Sequence, residues 1–289
     1  MNKNIFIYWN TGFENAPSVV KTCLSLWEKN KSDYTLHKIT DKNISYYLDI
    51  KSISKEYNFD KLTIQAKSDV IRLELLYNHG GIWTDATILC LKNIDWLKID
   101  HNNKNFFYSH TTPDFMFMCF LVSCEKSEII YKWKEGVKKL IATNGESIPK
   151  TFHTEPNNKG DMFEIFQPEL KVNDLDIEYF FMQRVFRYLK ANDENFSNAI
   201  KSNFSSWTSS NGISSKWDAP NFQDGFKLLY DIENIGYSKM NLPISENIKK
   251  VFSSKKLQKL NWRAYQNKFN KSDGSCWNYL NHEHINKYK

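Results

Sequence analysis

Apolar positions along this chain follow two periods. Residues 4–9 read NIFIYW, a run rich in β-branched and aromatic side chains that predicts a buried first strand. A polar turn, TGFENAP, follows. Pro17 then opens a helix to about Lys29, at the position where a missing N–H is tolerated. Residues 33–38, DYTLHK, predict a second strand. A strand, a helix and a strand in this order predict a parallel α/β sheet.

Residues 41–58 predict short helices. From Asp60 to His79 the period becomes helical, with Ala66, Val70, Leu73 and Tyr77 on one stripe. Asn78-His79-Gly80 ends this helix, with Gly80 or Gly81 supplying the left-handed cap. Further strands are predicted at 82–84, 86–91, 105–109 and 115–123. A helix over 126–142 would bury Ile130, Trp133, Val137, Leu140 and Ile141. Another is predicted over 176–191, with Asp174 and Asp176 as acids favoured by its dipole. Residues 143–160 and 201–225 are rich in Asn, Ser, Gly and Pro and read as loops, of the kind that form lids or substrate-binding segments. With no repeat and no Gly/Ser linker, the chain reads as one domain over 1–289.

Composition changes this picture little. The chain has 289 residues, 41% hydrophobic and 25% charged, which suits a globular α/β protein. The aromatic share is high at 15%, with nine Trp and fifteen Tyr. Such rings either fill a large core or stack on bases and sugar faces. Net charge is +6, and the lysines of 249–259 are too few for a nucleic-acid arm. They read as a solvated helix face, or as a surface for an anionic membrane. No C-x-x-C pair occurs among the five cysteines, so neither a metal knuckle nor a disulfide framework is expected. No signal peptide or membrane span is apparent; the expectation is a cytoplasmic protein, with at most peripheral contact at the inner face of the membrane.

The stretch GGIWTDAT, residues 80–87, carries the candidate chemistry. Asp85 follows a short strand, and in open α/β sheets ligands bind at the carboxyl ends of strands. The preceding helix places Asp69 and Arg72 on one face. By spacing alone they read as a surface ion pair, worth a few tenths of a kcal/mol. In a cleft they would offer the acceptor and donor that sugar hydroxyls and diphosphates need.

The run Ala66-x-Ser68-Asp69-x-x-Arg72-x-x-x-Leu76-x-x-x-Gly80-Gly81-Ile82-Trp83-x-Asp85 fixes ten positions in twenty residues. It resembles the nucleotide-sugar site of retaining GT-A glycosyltransferases. The nearest resemblance is to the capsular polysaccharide synthesis family. A more distant one is to sugar transferases with a DXD motif, including the glucosylating domains of clostridial toxins. The resemblance implies a GT-A (Rossmann-like) α/β fold with a mixed, mainly parallel sheet and extra helices. Residues 1–100 would form the nucleotide-sugar half, and 101–289 the acceptor side and closing segment. It implies that Trp9, after Tyr8 at the end of the first strand, stacks on uracil. Asp273-x-Ser275-x-Trp277 has the spacing of the toxin-like segment that closes over metal and diphosphate. Glu178-Tyr179-Phe180 resembles an acceptor-side motif of the capsular family, with Gln183 where a His is expected.

The implied activity is transfer of a hexose-type sugar from a UDP-sugar to a saccharide or lipid-linked saccharide, with retention and no nucleic acid involved. Asp85 and Arg72 would be catalytic. Tyr8, Trp9, Asp69, Arg72, Asp85, Thr87, Ser275 and Trp277 would bind the donor. Negative charge builds on the departing diphosphate, and a divalent ion on oxygen ligands stabilises it without proton transfer. The motif here reads Asp85-Ala86-Thr87, with a hydroxyl replacing the second carboxylate. Asp85 and Asp273, with diphosphate oxygens and water, would hold Mn²⁺ or Mg²⁺. No second carboxylate is evident as a nucleophile, so front-face attack by the acceptor is expected. Two rival readings keep parts of this picture. One is an effector that glycosylates a host protein. The other is a silent sugar- or nucleotide-binding protein.

Overall fold

The computed structural model describes residues 2–97, 107–111, 116–149, 171–172, 175–178 and 181–210, with 243–246, 249, 253, 257–259 and 275–280. The fold is mixed α/β with a mainly parallel open sheet. The chain divides into two compact units, neither continuous in sequence. Unit 1 is Met1–Asn2, Lys42–Trp83 and Asp100–Ser206; unit 2 is Lys3–Asp41, Thr84–Ile99 and Trp207–Lys289.

In unit 2, β1 (Asn4–Tyr8) and β2 (Thr35–Ile39) pair in parallel, from Asn4 opposite Thr35 to Tyr8 opposite Ile39. The apolar run of β1 is buried from Ile5 to Tyr8. Between the two strands runs α1 (Ser18–Asn30), and Val19, Val20, Cys23, Leu26 and Trp27 form its buried face. Two side chains pin α1 to β4 (Ile88–Cys90). The Trp27 indole donates to the Ile88 carbonyl at 3.0 Å, and the Asn30 amide to the Cys90 carbonyl at 2.7 Å. β4 pairs antiparallel with β9 (Leu257–Lys259).

Unit 1 contains the longest of the early helices. After α2 (Ile50–Glu56), α3 spans Ile64–His79 and is followed by β3 (Gly81–Thr84). Its N-cap is Thr63, whose hydroxyl accepts the Ala66 N–H at 3.2 Å. The expected start at Asp60 is therefore corrected: residues Phe59–Lys61 form a separate 3₁₀ turn, and the cap sets the true beginning. Next to β3 come β6 (Met116–Ser123) and then β5 (Phe107–Thr111), which pair antiparallel. α4 (Glu128–Ala142) buries all five residues expected of it.

Three expectations fail elsewhere in the chain. The predicted helix over 176–191 begins only at Phe181, as α5 (Phe181–Asn192). Asp176 instead lies in β8 (Leu175–Glu178), which pairs with β7 (Lys171–Val172), so it is not a helix N-terminal acid. The predicted loop from 201 is helical to 210, within α6 (Glu194–Ser210). Asp193 caps α6 by accepting the Phe196 N–H at 2.9 Å, and Phe196 packs edge-on against Phe186, so capping and packing outweigh a Ser/Asn-rich composition. Finally, residues 85–87 form a turn, and the strand predicted over 86–91 narrows to 88–90. The loops at 150–160 and 211–225, with Asp174, lie outside the described residues. Among the described residues, all five cysteines are buried, and no helix is long and apolar enough to cross a membrane.

The end of α3 is its most constrained point. Gly80 has φ +60° and ψ 179°, a region that only glycine readily occupies, and Gly81 has φ +109°. A β-carbon on Gly80 would lie 2.5 Å from the Glu125 backbone nitrogen. Gly80→Ala should lower stability by about 2 kcal/mol or more, from backbone strain plus this overlap. Gly12 also has positive φ, but its β-carbon would meet only the Glu14 carboxylate tip. Urea unfolding should therefore show a smaller loss for Gly12→Ala than for Gly80→Ala.

Candidate functional site

In unit 1, α3, β3 and β6 bring four expected or neighbouring groups together. The Arg72 guanidinium meets the Asp69 carboxylate at 2.8 Å, one turn earlier on α3. It donates to the Met118 carbonyl on β6 at 2.6 Å and lies over the Trp83 ring of β3, 5.1 Å from its centroid. The side chains of Arg72 and Asp69 are only 6% and 16% exposed. This is not the surface pair that spacing alone suggests. A delocalised, planar cation can be buried here because a carboxylate, a carbonyl and an aromatic face all meet it.

Two residues further, on nearly the opposite face, α3 buries a second charge. Glu74 accepts from the Lys134 ammonium of α4 at 3.0 Å and from the Tyr57 hydroxyl at 2.8 Å. Burial first, and then the Glu74 charge, push the Tyr57 hydroxyl well above its ordinary pKa. Nothing in the sequence reading pointed to this cluster. Its signal was Glu74 within an otherwise apolar stretch of helix.

In unit 2, the first strand delivers Tyr8 and Trp9. Tyr8 is buried, and its hydroxyl donates to the Asp41 carboxylate at 2.5 Å. Burial, the Asp41 hydrogen bond and the Asp41 charge all raise the Tyr8 pKa, so this hydroxyl keeps its proton. Trp9 is half-buried, and its backbone N–H donates to the Ile39 carbonyl at 3.0 Å. The Asp41 N–H donates to the Asn10 carbonyl at 3.2 Å. Residues 9–10 and 39–41 thus continue side by side past the ends of β1 and β2. Asp41 was missed in the sequence. Its signal was a carboxylate just past the second strand of a strand–helix–strand unit.

Asp85 is half-buried in the turn after β3, and its carbonyl accepts the Ile88 N–H at 3.1 Å. Thr87, in the same turn, is buried. Ser275 is buried too; its hydroxyl accepts the Asn278 N–H at 3.1 Å and so caps the short helix Cys276–Tyr279. Trp277 belongs to that helix, but its side chain lies outside the described set, as does Asp273. Glu178 ends β8, again with its side chain outside that set, and Gln183 is buried on α5.

Among the described residues, no three His, Cys, Asp or Glu side chains group together as a metal cage. Asp85 alone offers one hard carboxylate. Such a donor fits Mg²⁺ or Mn²⁺ that takes most of its ligands from phosphate and water, and does not fit a protein-enclosed zinc site.

Comparison with known proteins places the chain in a class. A family model described as "Capsular polysaccharide synthesis protein" matches residues 1–153, and the chain belongs to that family. Among its relatives is the O-glycosyltransferase braB of Annulohypoxylon truncatum, 27% identical over 174 residues, which are 54% of this chain and 41% of that protein. Cytotoxin-L of Paraclostridium sordellii is 26% identical over 205 residues, 62% of this chain and 8% of the toxin. The match thus spans less than half the length of either. Of solved structures, the ligand-free glycosyltransferase domain of the YGT toxin aligns with TM-score 0.41 and 11% identity, covering 91% of this chain and 95% of that one.

The Arg72 geometry yields a direct test. Arg72→Lys keeps the charge but replaces a planar fork with a point donor that cannot serve Asp69, Met118 and Trp83 together. It should cost about 1–2 kcal/mol of stability, read from urea titration. A lysine variant as stable as the wild type would show that the fork is not used.

Proposed function

We propose that this protein is a nucleotide-sugar-dependent glycosyltransferase with a GT-A nucleotide-sugar-binding site. It transfers a hexose-type sugar from a UDP-sugar to a saccharide or lipid-linked saccharide acceptor in bacterial surface-glycan synthesis, with retention at the anomeric carbon. The observation that carries this reading is the family match over 1–153, which spans every motif from Trp9 to Asp85. Two relatives named as glycosyltransferases, from Annulohypoxylon truncatum and Aspergillus fumigatus, support it.

In this reading the protein meets charge where the reaction creates it. Breaking the anomeric C–O bond leaves the electron pair on the diphosphate, and fixed positive charge or hydrogen-bond donors lower that barrier most. Mg²⁺ or Mn²⁺ held by Asp85, with Asp273, would supply electrostatic stabilisation of the leaving diphosphate. Trp9 offers its ring to the base. Asp69 and Arg72 act on the sugar side, with Arg72 fixed in orientation by Met118 and Trp83 rather than free to swing. The acceptor hydroxyl attacks from the face the diphosphate leaves.

A second reading, transfer to a host protein, is favoured by one observation: the match to Cytotoxin-L covers 62% of this chain. The two differ only in the acceptor. Incubation with a UDP-sugar and either a glycan or a cell lysate, followed by mass spectrometry of proteins, separates them.

Release of UDP from a panel of UDP-sugars, with and without Mn²⁺, tests the donor. Asp85→Asn should reduce turnover at least about a hundredfold, the loss typical of removing one group that stabilises developing charge. Wild-type turnover in that variant, or no nucleotide binding by the parent protein, would overturn the assignment.

A further inference from the structure

We propose that Asp41, held by Tyr8, is the residue that recognises the ribose of the donor nucleotide, accepting a hydrogen bond from its 2′-hydroxyl. This rests on the donor reading above and adds a specificity residue to it.

The case starts from position. Asp41 lies two residues beyond β2, at the carboxyl end of a strand whose parallel neighbour ends at Tyr8. Ligands in open α/β sheets sit at that end. In strand–helix–strand units that bind nucleotides, a carboxylate there can accept from a ribose hydroxyl, because a charged acceptor pairs strongly with a neutral diol. Two backbone hydrogen bonds, Trp9 N–H to Ile39 O at 3.0 Å and Asp41 N–H to Asn10 O at 3.2 Å, hold the Asp41 backbone beside that of Trp9. A base stacked on Trp9 would put its own ribose within the neighbourhood of Asp41.

The second part of the case is restraint. Asp41 is exposed, and an exposed carboxylate normally rotates freely. Here a buried tyrosine donates to one of its oxygens at 2.5 Å. The Tyr8 ring is fixed in the core, so the carboxylate is oriented in advance. A carboxylate accepts at about four lone-pair positions. The Tyr8 bond takes one and leaves acceptor capacity for a ligand. Tyr8 itself is 7% exposed, and its hydroxyl proton is committed to Asp41. It is therefore a positioning residue that acts through Asp41, and not a group that touches the donor.

Ribose recognition has a readout that a merely structural role would not move: the preference for a ribonucleotide over its 2′-deoxy counterpart. Calorimetry on the full chain would measure the four ribonucleoside diphosphates, take the tightest binder, and compare it with its 2′-deoxy form. Wild type should prefer the ribonucleotide by about tenfold or more, since losing a hydrogen bond to a charged group costs at least that. Asp41→Ala should bring ribonucleotide affinity down to that of the deoxynucleotide and leave the latter unchanged. Tyr8→Phe keeps the ring and should give an intermediate ratio. If Asp41→Ala weakens both ligands equally, or neither, the proposal fails while the donor reading stands. If the wild-type protein binds no nucleoside diphosphate, both fail.

Discussion

Much of unit 1 depends on one close approach, the seating of Gly80 against the Glu125 amide. No side chain fits there, so α3 must end where it does. The same corner is tied by three other hydrogen bonds. The Lys126 N–H donates to the Tyr77 carbonyl at 2.8 Å, and the Lys126 ammonium to Asn78 at 2.8 Å. The Asn2 amide donates to the His79 carbonyl at 2.9 Å. Carbonyls at a helix end are otherwise orphaned; here Lys126, in the turn between β6 and α4, satisfies that of Tyr77, and Asn2 that of His79. With the end of α3 fixed, β3 leaves it in a fixed direction. Trp83 then comes to lie under Arg72, two turns back along the helix.

This arrangement explains why α3 is not an ordinary amphipathic helix. Arg72 and Glu74 are two residues apart and so lie on nearly opposite faces. Both are buried, and each meets partners from a different element: Arg72 from β3 and β6, Glu74 from α4 and Tyr57. Buried charges of this kind add little net stability, because desolvation offsets most of the attraction. Their effect is on geometry. A one-residue slip of α3 would leave two charges in the core without partners, at several kcal/mol each. The helix register is thereby specified on two sides.

The parts legible in the sequence are those where one local rule acts without a rival. β1, α1, β2, β6 and α4 have unambiguous periods, and the glycine pair could only end a helix. The parts that were not legible depend on partners far along the chain. The composition of α6 argues for a loop, yet Asp193 caps it, held in turn by the Lys132 ammonium at 2.7 Å, and Phe196 reaches Phe186. The acids near 175 resemble a helix start until β7 supplies a pairing strand. At the candidate site, residue types were readable but surroundings were not. Asp69 and Arg72 stand out by spacing, whereas their burial depends on Met118, forty-six residues away from Arg72. Asp41 carried no motif. Its place just past the second strand was legible, but the Tyr8 hydroxyl that orients it lies thirty-three residues earlier.

Two carboxylates in unit 2 come just after strands, and their chemistry differs. Asp41 is oriented by a neutral hydroxyl and needs nothing more to accept from another one. Asp85 cannot face a diphosphate in the same way. Like charges a few ångströms apart repel, so a cation or a set of donors must stand between them. A second carboxylate at position 87 would strengthen the hold on a cation but would also add a negative charge that must be neutralised before phosphate can approach. The Thr87 hydroxyl, buried in the same turn, removes that charge and with it part of the need for a tightly held ion. Under the proposed reading, the Asp85-Ala86-Thr87 turn shifts the work of binding an ion toward the substrate phosphates. Metal affinity then becomes a property of the donor complex more than of the protein alone, whereas recognition of the nucleoside by Trp9 and Asp41 needs no ion at all.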